Sequence, residues 1–221
     1  MKVSNGANAS KPRNKEAVPP FSKILLDPST FALLFSNLLT IFFAVALNWP
    51  ILAIMWTYLL QSIIIGYFNL LRILSLKEFS TEKFYINRRP FKPTEATKLS
   101  TAFFFAVHYG AFHLAYFAFL IIGPWTSPGL KPITPIDMLF ILIAAAVFFA
   151  NHFYSFKHNP DKGRRKKNIG TLMFFPYARI IPMHLMIGFA AATGQAALLP
   201  FLLLKTAADV IMHVIEHRAF K

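Results

Sequence analysis

Residues 50–71 read PILAIMWTYLLQSIIIGYFNLL, and no Lys, Arg, Asp or Glu interrupts them. A helix of that length rises about 33 Å at about 1.5 Å per residue, enough for a hydrocarbon core of about 30 Å. The run is continuously apolar, without the period-two alternation of a barrel strand. It therefore reads as a transmembrane helix, the element that satisfies its own backbone in lipid. Working outward, five more such runs fall at about 29–47, 101–122, 135–155, 177–194 and 199–217. The expected fold class is all-α, a polytopic bundle of six transmembrane helices over residues 29–221.

Composition agrees. Hydrophobic residues make up 56% of the 221 and charged ones only 14%, against about 45–50% and about 25% in a soluble domain. Too little polar surface remains to cover a soluble enzyme. The absence of Cys excludes disulfides, thiolate metal sites and a Cys nucleophile. Asn48-Trp49-Pro50, the Pro-rich stretch from Gly123 to Pro135, and Gly194 with Pro200 mark tight links between helices. Pro182 falls inside the fifth run, where a kink is expected. Gly66, Gly110 and Gly188 read as close-packing positions. Residues 1–28 form a polar, basic tail, expected to be disordered and cytoplasmic, with no apolar core of a signal peptide.

The net charge of +14 lies in the connections and not on a nucleic-acid face. Five basic residues precede the first helix. Seven lie between helices 2 and 3 (Arg72, Lys77, Lys83, Arg88, Arg89, Lys92, Lys98) and six between helices 4 and 5 (Lys157, Lys162, Arg164, Arg165, Lys166, Lys167). The 1–2 and 5–6 links carry none and the 3–4 link only Lys131. The positive-inside rule puts both termini in the cytoplasm of a cell-membrane protein. The run Arg164 to Lys167 also suits anionic lipids of the inner leaflet.

Ionisable groups within spans are functional candidates by default. His108 and His113 fall in helix 3, His152 ends helix 4, His184 and Arg179 lie in helix 5, and Lys205, Asp209, His213, Glu216 and His217 follow one another along helix 6; Gln61 and Asn69 lie in helix 2. His108 and His184 each lie about 11 Å from the inner edge, and His213 about 10 Å from it, so three imidazoles share one depth. On helix 6 the five ionisable residues span an arc of about 120°, a stripe that faces the bundle interior. His213-Val-Ile-Glu216-His217 also matches H-x-x-E-H, the inverted zincin pattern. Its usual downstream ligand has no place in a chain that stops at Lys221. A His/Asp metal site would therefore draw on His108, His184, Asp209, His213 and His217, with Glu216 as base and zinc or iron as the metal. Two facing imidazoles could alternatively hold haem. His113 and His152 read more simply as hydrogen-bonded core residues.

Several separated motifs carry a resemblance. They are Trp56-x4-Gln61-Ser-Ile-Ile-Ile-Gly66-Tyr-Phe-Asn69-x2-Arg72, His108-Tyr-Gly110, Pro176-Tyr177-x-Arg179-Ile180-x2-Met183-His184, and Lys205-Thr-x2-Asp209-x3-His213-x2-Glu216-His217. Over about residues 30–221 the chain resembles a prokaryotic family of polytopic membrane proteins whose function is unknown. The resemblance implies a six-helix membrane domain and no activity. Three functional readings stay open on the residues. One is a metal-binding protein, with an inner-leaflet enzyme as its sharpest form. Another is a proton-coupled carrier in which Lys205–Asp209 is a switchable pair. The last is a structural protein whose polar groups hold helices together.

Overall fold

The quoted run forms α2, Ile51–Leu74, at the centre of a helical bundle. A computed structural model describes residues 28–82, 84–86, 89–126, 129–158 and 167–220, with the backbone alone over 213–220. The other long helices are α1 (Pro28–Ala46), α3 (Glu95–Thr126), α4 (Pro135–His158), α6 (Tyr177–Thr193) and α7 (Leu198–Phe220). A short α5 (Ile169–Phe174) precedes α6, and a 3-10 turn (Gly194–Ala197) joins α6 to α7. Each of the six expected runs thus holds a helix. Four described helical stretches are long and apolar enough to cross a membrane: Ile51–Leu74, Glu95–Thr126, Pro135–His158 and Ile169–Met212. The last is no single rod, because α6 packs back against α7 across the turn at Gly194. α1 adds a shorter apolar stretch, Leu34–Ala46.

Packing sorts the helices. α2 lies against α3, α4, α5 and α6, and half of its apolar window is buried, whereas only 6% of that of α4 is. Ile51, Leu52, Met55, Tyr58, Leu59, Phe68 and Ile73 make α2 the spine of the core. α4 turns Phe140, Leu142, Ile143 and Val147 outward, and α1 does the same with Phe35, Leu38 and Phe42. Apolar faces of this extent mark contact with another apolar phase.

The connections meet at two opposite ends. At one, Gln195 ties three links together. Its Oε1 accepts from Ile51 N (3.0 Å), its Nε2 donates to Trp49 O (2.6 Å), and its backbone N–H donates to Gly129 O (2.9 Å). The first bond satisfies a backbone donor at the start of α2 that has no partner within the helix. At the other end, β1 (Phe79–Ser80) pairs in parallel with β4 (Lys167–Asn168). β2 (Tyr85–Ile86) and β3 (Arg89–Pro90) form a small antiparallel pair beside it. Asn168 accepts from Thr171 N (3.0 Å), capping α5, and donates to Glu82 O (2.6 Å). Asn69 reaches from α2 to Leu172 O (2.9 Å). Two-residue strands have no periodicity to read, so nothing in the hydropathy pattern announces these clasps. α3 also starts earlier than its apolar run. Thr94 Oγ1 accepts from Thr97 N (3.2 Å), and Lys98 donates to Leu76 O at the end of α2 (3.0 Å).

Only one of the three glycines expected to permit close packing does so. A Cβ at Gly66 would strike the Tyr109 ring, whereas at Gly110 and Gly188 it would meet nothing within 4 Å. α6 runs on through Pro182, whose ring is buried. The tail at residues 1–27 and the basic residues Lys83, Arg88, Lys162, Arg164, Arg165 and Lys166 lie outside the described residues.

Gly194 has φ +59°, and a Cβ there would lie 2.7 Å from the Gly129 backbone. Gly194→Ala should destabilise the protein by ~1–3 kcal/mol, read as a lower midpoint of thermal unfolding in detergent. Gly188→Ala should leave that midpoint unchanged or raise it, because the added methyl has room and favours the helix.

Candidate functional site

α7 places Lys205 and Asp209 one turn apart, the spacing at which side chains meet. Lys205 Nζ lies 2.7 Å from Asp209 Oδ2 and 3.0 Å from Asn37 Oδ1 on α1. One ammonium thus joins two helices. Arg179 enters from the first turn of α6, with NH1 3.7 Å from Asp209 Oδ1. A cation at a helix N-terminus opposes the macrodipole, so the tertiary partner and not the local helix accounts for its place. Asp209 is 8% exposed, and its Oδ1 accepts no hydrogen bond among the described residues.

These groups line a cleft of about 390 Å³. Asn37 and Thr40 of α1 form one wall and Phe148 of α4 the other. Gln61 of α2, Arg179, Lys205 and Asp209 line it too. Among the described side chains the cleft holds two cations and one carboxylate. The Gln61 amide makes no hydrogen bond among the described residues, and the Arg179 guanidinium none beyond its long contact with Asp209. Nearby, the Tyr58 hydroxyl is buried without a hydrogen-bond partner among the described residues, its ring edge-on to Phe201 of α7.

The histidines go elsewhere. His113 is 6% exposed between α2 and α3. Its Nδ1 donates to Tyr109 O (2.7 Å), which leaves Nε2 to accept from the Ser62 hydroxyl (2.9 Å). The Tyr109 hydroxyl completes the group, 2.8 Å from Ser62 Oγ and donating to Ser62 O (3.0 Å). Gly66 makes room for that Tyr ring. His108 is exposed, stacked on Phe104 and bonded through Nδ1 to the Tyr177 hydroxyl (2.9 Å). His184 is exposed too, 3.5 Å from the Tyr116 hydroxyl. Phe112 contacts both imidazoles, with ring centroids 5.1 Å and 6.1 Å away. His152 packs between Phe68 and Phe148, with Nδ1 on Phe148 O (3.1 Å).

The candidate metal ligands His108, His184 and Asp209 are therefore not brought together. His108 and His184 lie on the α3–α6 side among aromatic rings, while Asp209 is held by Lys205 and Arg179. Among the described residues no three His, Asp or Glu come together as a group able to hold a metal ion. Depth sets a residue's level but not the rotation of its helix. The side chains of His213, Glu216 and His217 lie outside the described residues. Gln61, Arg179, Lys205 and Asp209 share one site, although the stripe on helix 6 itself holds only Lys205 and Asp209 of these. Asn69 instead joins α2 to α5. Asn37 escaped a search built on ionisable groups, although Ser36, Asn37 and Thr40 interrupt an apolar run within one turn. Tyr109 and Tyr58 read as ordinary core aromatics.

An all-helical bundle with apolar outer faces and a charged cleft between its helices defines a class of membrane-compatible proteins, not an activity. Residues 21–221 match the family of unknown function DUF6498, and the chain belongs to that family. No curated protein and no solved structure matches it.

Removing one partner of a buried ion pair leaves a charge uncompensated and costs about 3–5 kcal/mol, whereas removing both is far milder. Lys205→Met and Asp209→Asn should each lower the thermal midpoint strongly. The double variant should recover only part of the loss, because Arg179 still loses its carboxylate, and should give a measurable coupling energy in a double-mutant cycle.

Proposed function

We propose that this protein crosses the cell membrane six times with both termini in the cytoplasm, and that the cleft between α1, α2, α6 and α7 binds an anionic group. The orientation rests on where the connections meet. The two basic connections are clasped together through β1 and β4, while the links with one basic residue or none meet around Gln195 at the other end. Because the chain has no Cys, single cysteines report sidedness directly. An impermeant maleimide should label Lys131→Cys in intact cells and Lys77→Cys only after permeabilisation. The reverse pattern overturns the orientation.

The anion reading is carried by one observation: Arg179 and Lys205 face the same cleft and share the single Asp209 carboxylate. A surplus positive charge among apolar helices is stabilised by any anion that enters. The donors left over by Arg179 and Gln61 suit a carboxylate or phosphate, which a guanidinium grips in bidentate fashion. An anion that draws Lys205 away from Asp209 also draws it away from Asn37, so occupancy loosens the contact of α7 with α1. That exchange of partners is the step a carrier would use.

Thermal unfolding in a maltoside detergent tests the reading with two probes, inorganic phosphate and hexyl phosphate. At a concentration about 100-fold above Kd a ligand adds about 2.7 kcal/mol. At least one probe should raise the midpoint of the natural protein, and neither should do so for Arg179→Gln. No shift with either probe on the natural protein overturns anion binding at this cleft.

A further inference from the structure

A second cleft, of about 450 Å³, adjoins the charged one. Phe175 and Met212 line both, so the two clefts share a border. Their linings differ in kind. The first presents Arg179, Lys205, Asp209, Asn37 and Gln61 beside Phe148; the second is mainly apolar, with Phe84, Phe174, Phe175, Ala178 and Met212, and has Glu82, Asn168 and Thr171 at its border. The second lies at the basic end of the bundle, under the clasp where Asn168 bonds to Glu82 O (2.6 Å), and both of those residues border it. Each compartment has the size of a small-molecule site, about 300–1,000 Å³. A cationic chamber beside an aromatic one is a two-part site whose halves recognise opposite ends of one molecule.

We infer that the ligand of the charged cleft is a single-chain anionic amphiphile, its phosphate or carboxylate on Arg179 and Lys205 and its hydrocarbon limb past Phe175 and Met212 into the apolar cleft. This rests on the anion reading above and adds to it what the rest of the ligand is. A free inorganic anion would leave the apolar chamber unused. A zwitterionic amphiphile would bring its own cation into a chamber that already holds two.

The test is a series of monoalkyl phosphates from ethyl to decyl, read as apparent Kd by thermal shift on the full chain in maltoside, with inorganic phosphate and a choline-headed analogue alongside. Burial of each methylene is worth about 0.8 kcal/mol, or about fourfold in Kd. The natural protein should gain about that factor per carbon over the first several carbons. Thr171→Trp fills the apolar chamber from an exposed position on α5 whose described bonds are backbone ones. It should flatten the chain-length dependence while leaving ethyl phosphate binding unchanged. Partition of alkyl phosphates into micelles is common to both proteins, so the ratio between them isolates the chamber. The choline-headed analogue should not compete. Binding of inorganic phosphate and ethyl phosphate with no chain-length difference between the natural protein and Thr171→Trp overturns the amphiphile but leaves the anion site standing. A choline-headed analogue that binds as well as the alkyl phosphate overturns the headgroup assignment. No binding by any probe removes both readings.

Discussion

Each polar group carried into an apolar bundle has to find its partner inside the bundle, because the outer faces offer none. That constraint organises this structure more than any single hydrophobic contact. Gln195 spends both ends of its amide on the α1–α2 link and the start of α2. Asn69 spends its amide on the α5 backbone. Ser62, Tyr109 and His113 close a ring of bonds between α2 and α3. In each case a side chain satisfies a group on another element, and the bond aligns the two helices as well as stabilising them. The apolar residues then fill what these contacts leave: α2 carries fully buried Ile51, Leu52, Met55 and Tyr58 at the centre, and α4 is almost entirely covering.

The charged cleft is where this rule is only partly obeyed. Lys205 is well served by Asp209 and Asn37, but among the described residues Arg179 reaches a carboxylate only at 3.7 Å, and neither Asp209 Oδ1 nor the Tyr58 hydroxyl has a hydrogen-bond partner. Unsatisfied buried polar groups are uncommon in proteins and costly to maintain. Two of them, at and near one cavity whose Arg179 has only a long ion pair, give a physical reason to read this place as a binding site and the histidine-bearing face as packing. The two regions also differ in what surrounds them. The imidazoles lie against Phe104, Phe112, Tyr116 and Tyr177, which hold them by stacking and single hydrogen bonds.

How much of this was legible in the residues follows from the kind of signal each feature emits. Helix number and helix ends came from runs of apolar residues with Pro and Gly between them, so α1, α2, α4, α6 and α7 fall within a few residues of their expected places. The polar stripe of Lys205 and Asp209 on α7 was legible for the same reason, since a helix fixes the angle between its own residues. The partners Asn37 and Arg179 come from other helices. The β1–β4 clasp joins Phe79–Ser80 to Lys167–Asn168, and no local pattern announces a pair so distant in sequence.

From its sequence alone this chain is a bundle of apolar helices with most of its positive charge in alternate connections, because hydropathy and charge act residue by residue and add along the chain. Tertiary structure decided which polar residues meet. It separated His108 and His184 from Asp209, brought Arg179 and Asn37 to the Lys205–Asp209 pair, and set an apolar chamber beside a cationic one. The rotation of each helix about its axis is chosen by packing against all its neighbours at once, and that choice exists only when every helix is in place.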